Sequence, residues 1–366
     1  MKTIKDIYYH FEDDVTNYPD AWCIDSIGGR STGKTYSALK YCYQNNIKFV
    51  FMKRTQDDVD LLCAGTGRIG SKMAQYGADF SPFVPLNRDL GCNVKAFSIR
   101  KGIGAFWPCD DDNEPIGEPI GYIFSLNGVS KIKGFNLDDV GLLIMDEYIP
   151  GITDRPSRKE GEALMQAYDT VSRDREERGE PPLKLVLLAN ATKVNCPINE
   201  ELALTDDIAD MNLKDVELRY IEERGILIHR LKNNEQAELR KNRAIYKAMA
   251  GTKWAEESLG NKFAHDDFSC IGTINLKGFQ PICYLRERNK MYYIYYNPDK
   301  DMYFMTSTQF NHKNIDFYDM DREIHQQSFY YDYLLDLRQA CMSDKMLFKT
   351  YHMYDLIMNY KNIFRI

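Results

Sequence analysis

Residues 22–35 read Trp22-Cys23-Ile24-Asp25-Ser26-Ile27-Gly28-Gly29-Arg30-Ser31-Thr32-Gly33-Lys34-Thr35, and this stretch decides the fold. It opens as an apolar run of strand type, breaks at paired glycines, and continues from Lys34 to about Asn45 with helical spacing. Gly28 to Thr35 fit the pattern G-x-x-x-x-G-K-[ST] at every position. The glycines let the backbone curl so that successive N–H groups point at one anion. The helix that follows adds the positive end of its dipole. In such a loop Lys34 reaches the β- and γ-phosphates of a nucleotide, and Thr35 offers its hydroxyl to Mg²⁺. A chance match in a chain of this length is expected on the order of once in a hundred. The strand–loop–helix context makes chance rarer still. Gly28, Gly29, Arg30, Ser31, Thr32, Gly33, Lys34 and Thr35 are therefore the candidate ATP-binding residues, with Arg30 a candidate for binding or gating.

Outward from this loop, short apolar runs alternate with helical stretches, as in a mainly parallel α/β sheet. The runs are Trp22–Ser26, Lys48–Met52, Tyr122–Leu126, Gly141–Met145 and Lys184–Ala189; the helical stretches include Lys34–Asn45 and Glu160–Arg178. Trp107–Pro119, rich in Pro, Gly and Asp, reads as a surface loop or hairpin tip. The run from Gly141 ends in Asp146-Glu147. Asp146 is the expected second ligand of Mg²⁺ beside Thr35. Glu147, one residue beyond the strand, is the expected general base that polarises the attacking water.

Charge and composition narrow the class. The net charge of the 366 residues is −7, but from Lys232 onward 19 Lys and Arg face 17 Asp and Glu, a net of +2. A protein that grips nucleic acid transiently needs only a local basic patch. Nine cysteines occur without a CxxC pair, which argues against a zinc site and a disulfide scaffold and for reduced thiols in a cytoplasm. The first fifteen residues lack a signal-type apolar core, and no apolar run nears the ~20 residues of a membrane helix.

The pattern changes after about Leu231. Asn233–Leu259 has helical spacing and many charges, as a linking helix pair would. Pro281–Glu287, Met291–Asn297 and Met302–Ser307 alternate aromatic and polar residues around tight turns, an antiparallel meander. Two helical segments, about Asp321–Cys341 and Lys345–Asn362, close the chain. The expected division is an ATPase domain over 1–231, a helical linker over 232–265 and an α+β domain over 266–366. The stripe Tyr292–Tyr296 reads as core and cross-strand packing more readily than as a base-stacking platform.

Several stretches resemble phage terminase large subunits. They are Gly28-Gly29-Arg30-x-x-Gly33-Lys34-Thr35, the strand running into Lys53-Arg54-Thr55, Ser130-Lys131-Ile132-Lys133-Gly134 ahead of the Asp-Glu strand, and Leu185 to Thr192 around Asn190. A narrower set resembles the encapsidation ATPases of the phi-29-like podophages: Val171-Ser172-Arg173-Asp174-Arg175, Gly225-Ile226-Leu227-Ile228, Ala250-Gly251-Thr252 and Asn261-Lys262-Phe263. The resemblance covers most of residues 20–265. It implies a P-loop ATPase of the branch with an added catalytic Glu, Asn190 sensing the γ-phosphate, and Arg173 or Arg175 as an arginine finger reaching a neighbour's ATP, Arg173 preferred. Lys131 and Lys133 become candidates for contacting phosphate or DNA. It further implies a motor that drives double-stranded DNA into an empty capsid from a homo-oligomeric ring, usually a pentamer. The ring docks on the portal (connector) vertex of the procapsid in the host cytoplasm, with a packaging RNA as a candidate mediator. Terminases carry an RNase H-like nuclease next, but here Asp299 and Asp301 fall in a turn and the strand interiors offer Cys283, Tyr284, Tyr292, Ile294, Tyr303 and Phe304. The expectation is a nuclease-type fold without its metal site. The alternatives are another P-loop nucleic-acid translocase, a P-loop kinase, and a terminase with a live nuclease.

Overall fold

The computed structural model describes residues 8–64, 80–128, 135–151, 154–231, 239–252, 255, 258–259, 263, 266–309 and 315–364. Two compact units emerge. One comprises Met1–Ala203 with Lys214–His265, the other Leu204–Leu213 with Asp266–Ile366. Segment 232–265, expected as a linker, groups with the first unit, and residues 204–213, expected in the ATPase domain, group with the second. Lys131, Lys133, Asn261 and Lys262 lie outside the described residues.

The first unit is built on nine strands: β1 (Cys23–Gly28), β2 (Lys48–Lys53), β3 (Val94–Arg100), β4 (Ile103–Pro108), β5 (Gly121–Ser125), β6 (Val140–Asp146), β7 (Lys184–Asn190), β8 (Leu218–Ile221) and β9 (Ile226–Leu231). Their order is β3-β4-β5-β2-β6-β7-β1-β9-β8. The six central strands run parallel, and the edges β3, β4 and β8 are antiparallel. The centre is parallel, and β1, β6 and β7 are buried almost throughout, as strands covered on both faces are. Phe49, Phe83 and Phe106 meet in the core, the last two with ring centroids 5.0 Å apart. All five strands expected from the sequence are present within two residues. Helix Glu160–Ser172 ends six residues short of the expected Arg178, because Arg173 turns into the left-handed region (φ 47°).

The second unit has a five-stranded sheet ordered β13-β10-β11-β12-β14: β10 (Gln280–Glu287), β11 (Lys290–Asn297), β12 (Met302–Thr306), β13 (Asp316–Asp319) and β14 (Met346–Phe348). The expected meander is β10–β12, and short strands β13 and β14 flank it in parallel. The segment expected as one helix from Lys345 begins instead as β14, then forms helices Tyr351–Met358 and Tyr360–Phe364. One face of the sheet buries Cys283, Leu285, Ile294 and Met305 under the closing helices. Among the described residues no helix is long and apolar enough to cross a membrane.

Close packing on one helix supplies a test of this fold. A Cβ on Gly161, in helix Glu160–Ser172, would lie 2.4 Å from the Pro197 carbonyl and 2.5 Å from Glu201 Cβ. Alanine gains about 1 kcal/mol of helix propensity over glycine. Overpacking against backbone costs about 1–3 kcal/mol. Gly161→Ala is expected to lose stability on balance, read as a lower Tm, whereas Gly179→Ala, with open space around its Cβ, changes it through backbone strain alone.

Candidate nucleotide site

Parallel strands deliver their C-terminal ends to one edge, and three of them meet at the phosphate loop. β1 runs into the loop at Gly28, β6 ends at Asp146, and β7, lying between them, ends at Asn190. Gly33 caps the helix Lys34–Gln44 with φ 87°, a conformation that glycine takes without strain. A cavity of about 500 Å³ opens here, lined by Arg30–Tyr36, Lys53, Asp146, Glu147 and Asn190, with an apolar wall that includes Leu62, Phe80 and Pro82.

Lys34 Nζ is buried inside the loop. It donates to the carbonyls of Gly28 (3.2 Å) and Gly29 (2.9 Å), to Thr32 Oγ1 (3.0 Å) and to Asn190 Oδ1 (3.4 Å). Burial pulls its pKa down to about 8 against the opposing charges of Asp146 and Glu147. The Thr35 hydroxyl donates to Asp146 Oδ1 at 2.8 Å. A hydroxyl and a carboxylate facing one point beside a curled glycine loop are the donor set that Mg²⁺ with a phosphate requires, so these residues fit that ion.

Lys53, at the end of β2, donates to Asp146 Oδ2 (2.7 Å) and Glu147 Oε2 (3.0 Å). Burial disfavours its charge, but the two carboxylates outweigh burial and hold the ammonium above its ordinary value. The Glu147 side chain is two-thirds exposed, whereas Asp146 is nearly enclosed. Glu147 has φ 57°. Arg54 bonds the carbonyls of Glu147 (3.2 Å) and Tyr148 (2.9 Å) and pairs with buried Glu160. Arg30 is exposed and its carbonyl accepts from buried Arg240. The N-terminal segment also clasps the loop, with Tyr9 N–H on the Thr32 carbonyl and Phe11 N–H on Ser37 Oγ.

The site thus brings together Lys34, Thr35, Asp146, Glu147 and Asn190 with the glycine loop, but not Arg173 or Arg175. Those two stand near the start of β6. Arg173 is exposed and bonds the Phe135 carbonyl and Asp138. Arg175 is buried, with its guanidinium on the carbonyls of Val140 (2.6 Å) and Asp138 (3.2 Å). Seven residues of β6 at ~3.3 Å each put them roughly 20 Å from Asp146. Sequence reasoning missed Tyr9, Asp25, Tyr148 and Arg240. Their signal would have been polar groups inside otherwise apolar or charged runs.

The interposed β7 and the loop define a P-loop fold of the class in which a further strand separates the loop strand from the Asp-Glu strand. No family model matches the chain, and no curated protein sequence matches it. Solved structures do. The Phi-28 gp11 DNA packaging motor superimposes with a TM-score of 0.59 at 17% identity, over 98% of this chain and 98% of that one. The bacteriophage Phi-29 viral genome packaging motor assembly does so with 0.62 at 16% identity, over 98% and 99%. The chain therefore shares the fold of these packaging motors along nearly its whole length, beyond residues 20–265 where the motif resemblance lies.

A buried acid beneath the site supplies a pH test. Asp25, in the middle of β1, is fully buried, and burial pushes its carboxyl up to about 8. The folded chain keeps a proton that the unfolded chain releases. Stability from this group therefore falls as pH rises from the ordinary carboxylate range towards 8, by up to about 1.4 kcal/mol per unit. Asp25→Asn is expected to melt at higher temperature than the parent at pH 8, with the gap closing towards pH 5.

Proposed function

We propose that this chain is an ATP-hydrolysing motor that translocates double-stranded viral DNA into an empty capsid. One observation carries the reading. Lys34, Thr35, Asp146 and Glu147 converge on a single cavity, in a chain whose fold matches two DNA-packaging motors end to end.

In this reading the loop amides and Lys34 hold the triphosphate. Thr35 and Asp146 hold Mg²⁺, which when bound neutralises charge on the β- and γ-phosphate oxygens. Glu147, exposed to the cavity and held by its strained backbone, orients the attacking water and takes its proton. Lys53 pairs with both acids before substrate arrives and can trade Glu147 for a phosphate oxygen. Asn190, bonded to Lys34, is the natural sensor of the γ-phosphate. Arg175 is buried, with its guanidinium on the carbonyls of Asp138 and Val140, which leaves the exposed Arg173 as the finger. Roughly 20 Å from its own Asp146, it can serve only a neighbouring subunit's ATP, so the motor works as a ring. The ring is a pentamer by resemblance, and its partners are duplex DNA, the portal vertex of the procapsid and, by the same resemblance, a packaging RNA. It acts in the host cytoplasm. The second unit is read as an RNase H-like domain that has lost its nuclease and contacts DNA, portal or RNA.

The deciding experiment measures ATPase activity with and without duplex DNA, alongside strand cleavage and unwinding. DNA-stimulated hydrolysis without either supports the motor. Unwinding favours a helicase-type translocase, and Mn²⁺-dependent cleavage a terminase with a live nuclease. Lys34→Ala is expected to fold normally and to abolish hydrolysis. Glu147→Gln is expected to bind ATP and turn over at least ~100-fold more slowly; normal turnover there, with a dead Asp146→Asn, moves the base elsewhere.

The finger has its own test. Such arginines are worth roughly 10³–10⁵ in rate. Arg173→Ala alone is expected to bind ATP and hardly hydrolyse it. Mixing it with Lys34→Ala should restore part of the activity, because a subunit with a sound loop borrows Arg173 from its neighbour. No rescue in rings shown to be mixed removes the trans finger.

A further inference from the structure

Glu147 occupies the left-handed backbone region at φ 57°. A residue without a glycine's freedom stays there only when its surroundings over-determine it. Arg54 holds its carbonyl from one side. The next residue is held from below. Tyr148 N–H bonds the Leu188 carbonyl of β7 (3.2 Å), and the Tyr148 ring is fully buried. Its hydroxyl donates to Asp25 Oδ2 at 3.0 Å.

Asp25 lies on β1, three residues before Gly28, while Tyr148 follows the end of β6. β7 separates these strands, so no backbone ladder joins them. At ~4.8 Å per strand the gap is roughly 10 Å, which the tyrosine, its hydrogen bond and the aspartate side chain span together. The side chain therefore crosses under β7 and ties the strand of the phosphate loop to the segment that presents Glu147. An aspartate in a fully buried strand interior, with Oδ1 lacking a hydrogen-bond partner, is costly where a leucine would pack. Rule-breaking buried polar groups of this kind mark function more often than stability.

We propose that the Tyr148–Asp25 hydrogen bond is a tether that fixes the Glu147 carboxylate relative to the phosphate loop, making Tyr148 and Asp25 positioning residues for hydrolysis. The inference rests on the ATPase reading above. The loop and Glu147 then move as one body when the loop closes on a triphosphate, so the base keeps its register with the γ-phosphate.

The test is steady-state and single-turnover ATP hydrolysis by the full chain with duplex DNA, together with ATP affinity and Tm. Tyr148→Phe keeps the ring and removes the hydroxyl. It is expected to lose at least ~10-fold in kcat, with KM for ATP and Tm little changed. Asp25→Leu, which removes the acceptor, should lose as much, and Asp25→Asn, which keeps one, should regain most of that loss. The double variant Tyr148→Phe/Asp25→Leu should be no slower than either single one, since one bond is removed only once. A Tyr148→Phe chain with the parent's kcat overturns the tether. So does a kcat loss matched by equal losses of ATP affinity and Tm, or losses that multiply in the double variant. If Asp25→Leu does not fold, Tyr148→Phe and Asp25→Asn decide between them. A parent chain that hydrolyses no ATP overturns the motor reading itself.

Discussion

The contact on which the first unit's site depends is the cluster of Thr35, Asp146 and Lys53. Asp146 accepts from Thr35 on one oxygen and from Lys53 on the other, in a nearly enclosed position. A carboxylate with little water around it needs such partners, since desolvation of an unpaired charge costs several kcal/mol. The three residues come from the loop, β6 and β2, and the cluster holds those elements in one relation. It also leaves Lys53 with a second bond to exposed Glu147. An exposed pair is worth little. The same lysine thus holds Asp146 firmly and Glu147 loosely, which leaves Glu147 the freer of the two to turn within the cavity.

Strand order explains why such different residues can share one edge. With β7 between β1 and β6, the Asn190 side chain reaches Lys34 from the middle position, and Asp146 reaches Thr35 from the next strand over. Asp25 and Tyr148 span the same gap from below. Side-chain hydrogen bonds thus join strands that the sheet itself keeps apart.

The site was largely legible in the sequence because its residues sit at strand ends, where an apolar run meets a polar group. Gly28 to Thr35, Asp146, Glu147 and Asn190 all follow that rule. Tyr148 and Asp25 break it: one looks like the start of a loop, and the other interrupts an apolar strand. Arg240 hid in a charge-dense stretch that reads as a solvated linker, yet it is buried and bonded to the Arg30 carbonyl. The edge strands β3 and β4 were missed for a different reason. β3 buries alternate residues at first and then none, the weak signal of a sheet margin. β14 has three residues and exists because β12 offers a free edge beside it, which local spacing cannot reveal. Arg175 shows the opposite case: it stands in a charge-dense run that reads as a solvated face, yet its side chain turns inward onto the carbonyls of Asp138 and Val140.

That inward turn gives β6 a role at both ends. Its C-terminal end carries Asp146 and the strained Glu147; its N-terminal end receives Arg175 on the Val140 carbonyl. Arg173 sits two residues before Arg175, also at positive φ, with its guanidinium on Phe135 and Asp138 just ahead of the same strand. A buried strand hydrogen-bonded on both sides does not stretch or bend easily. Whatever shifts the Arg175 end of β6 therefore shifts the Asp146 end with it, with no chain of intervening side chains required.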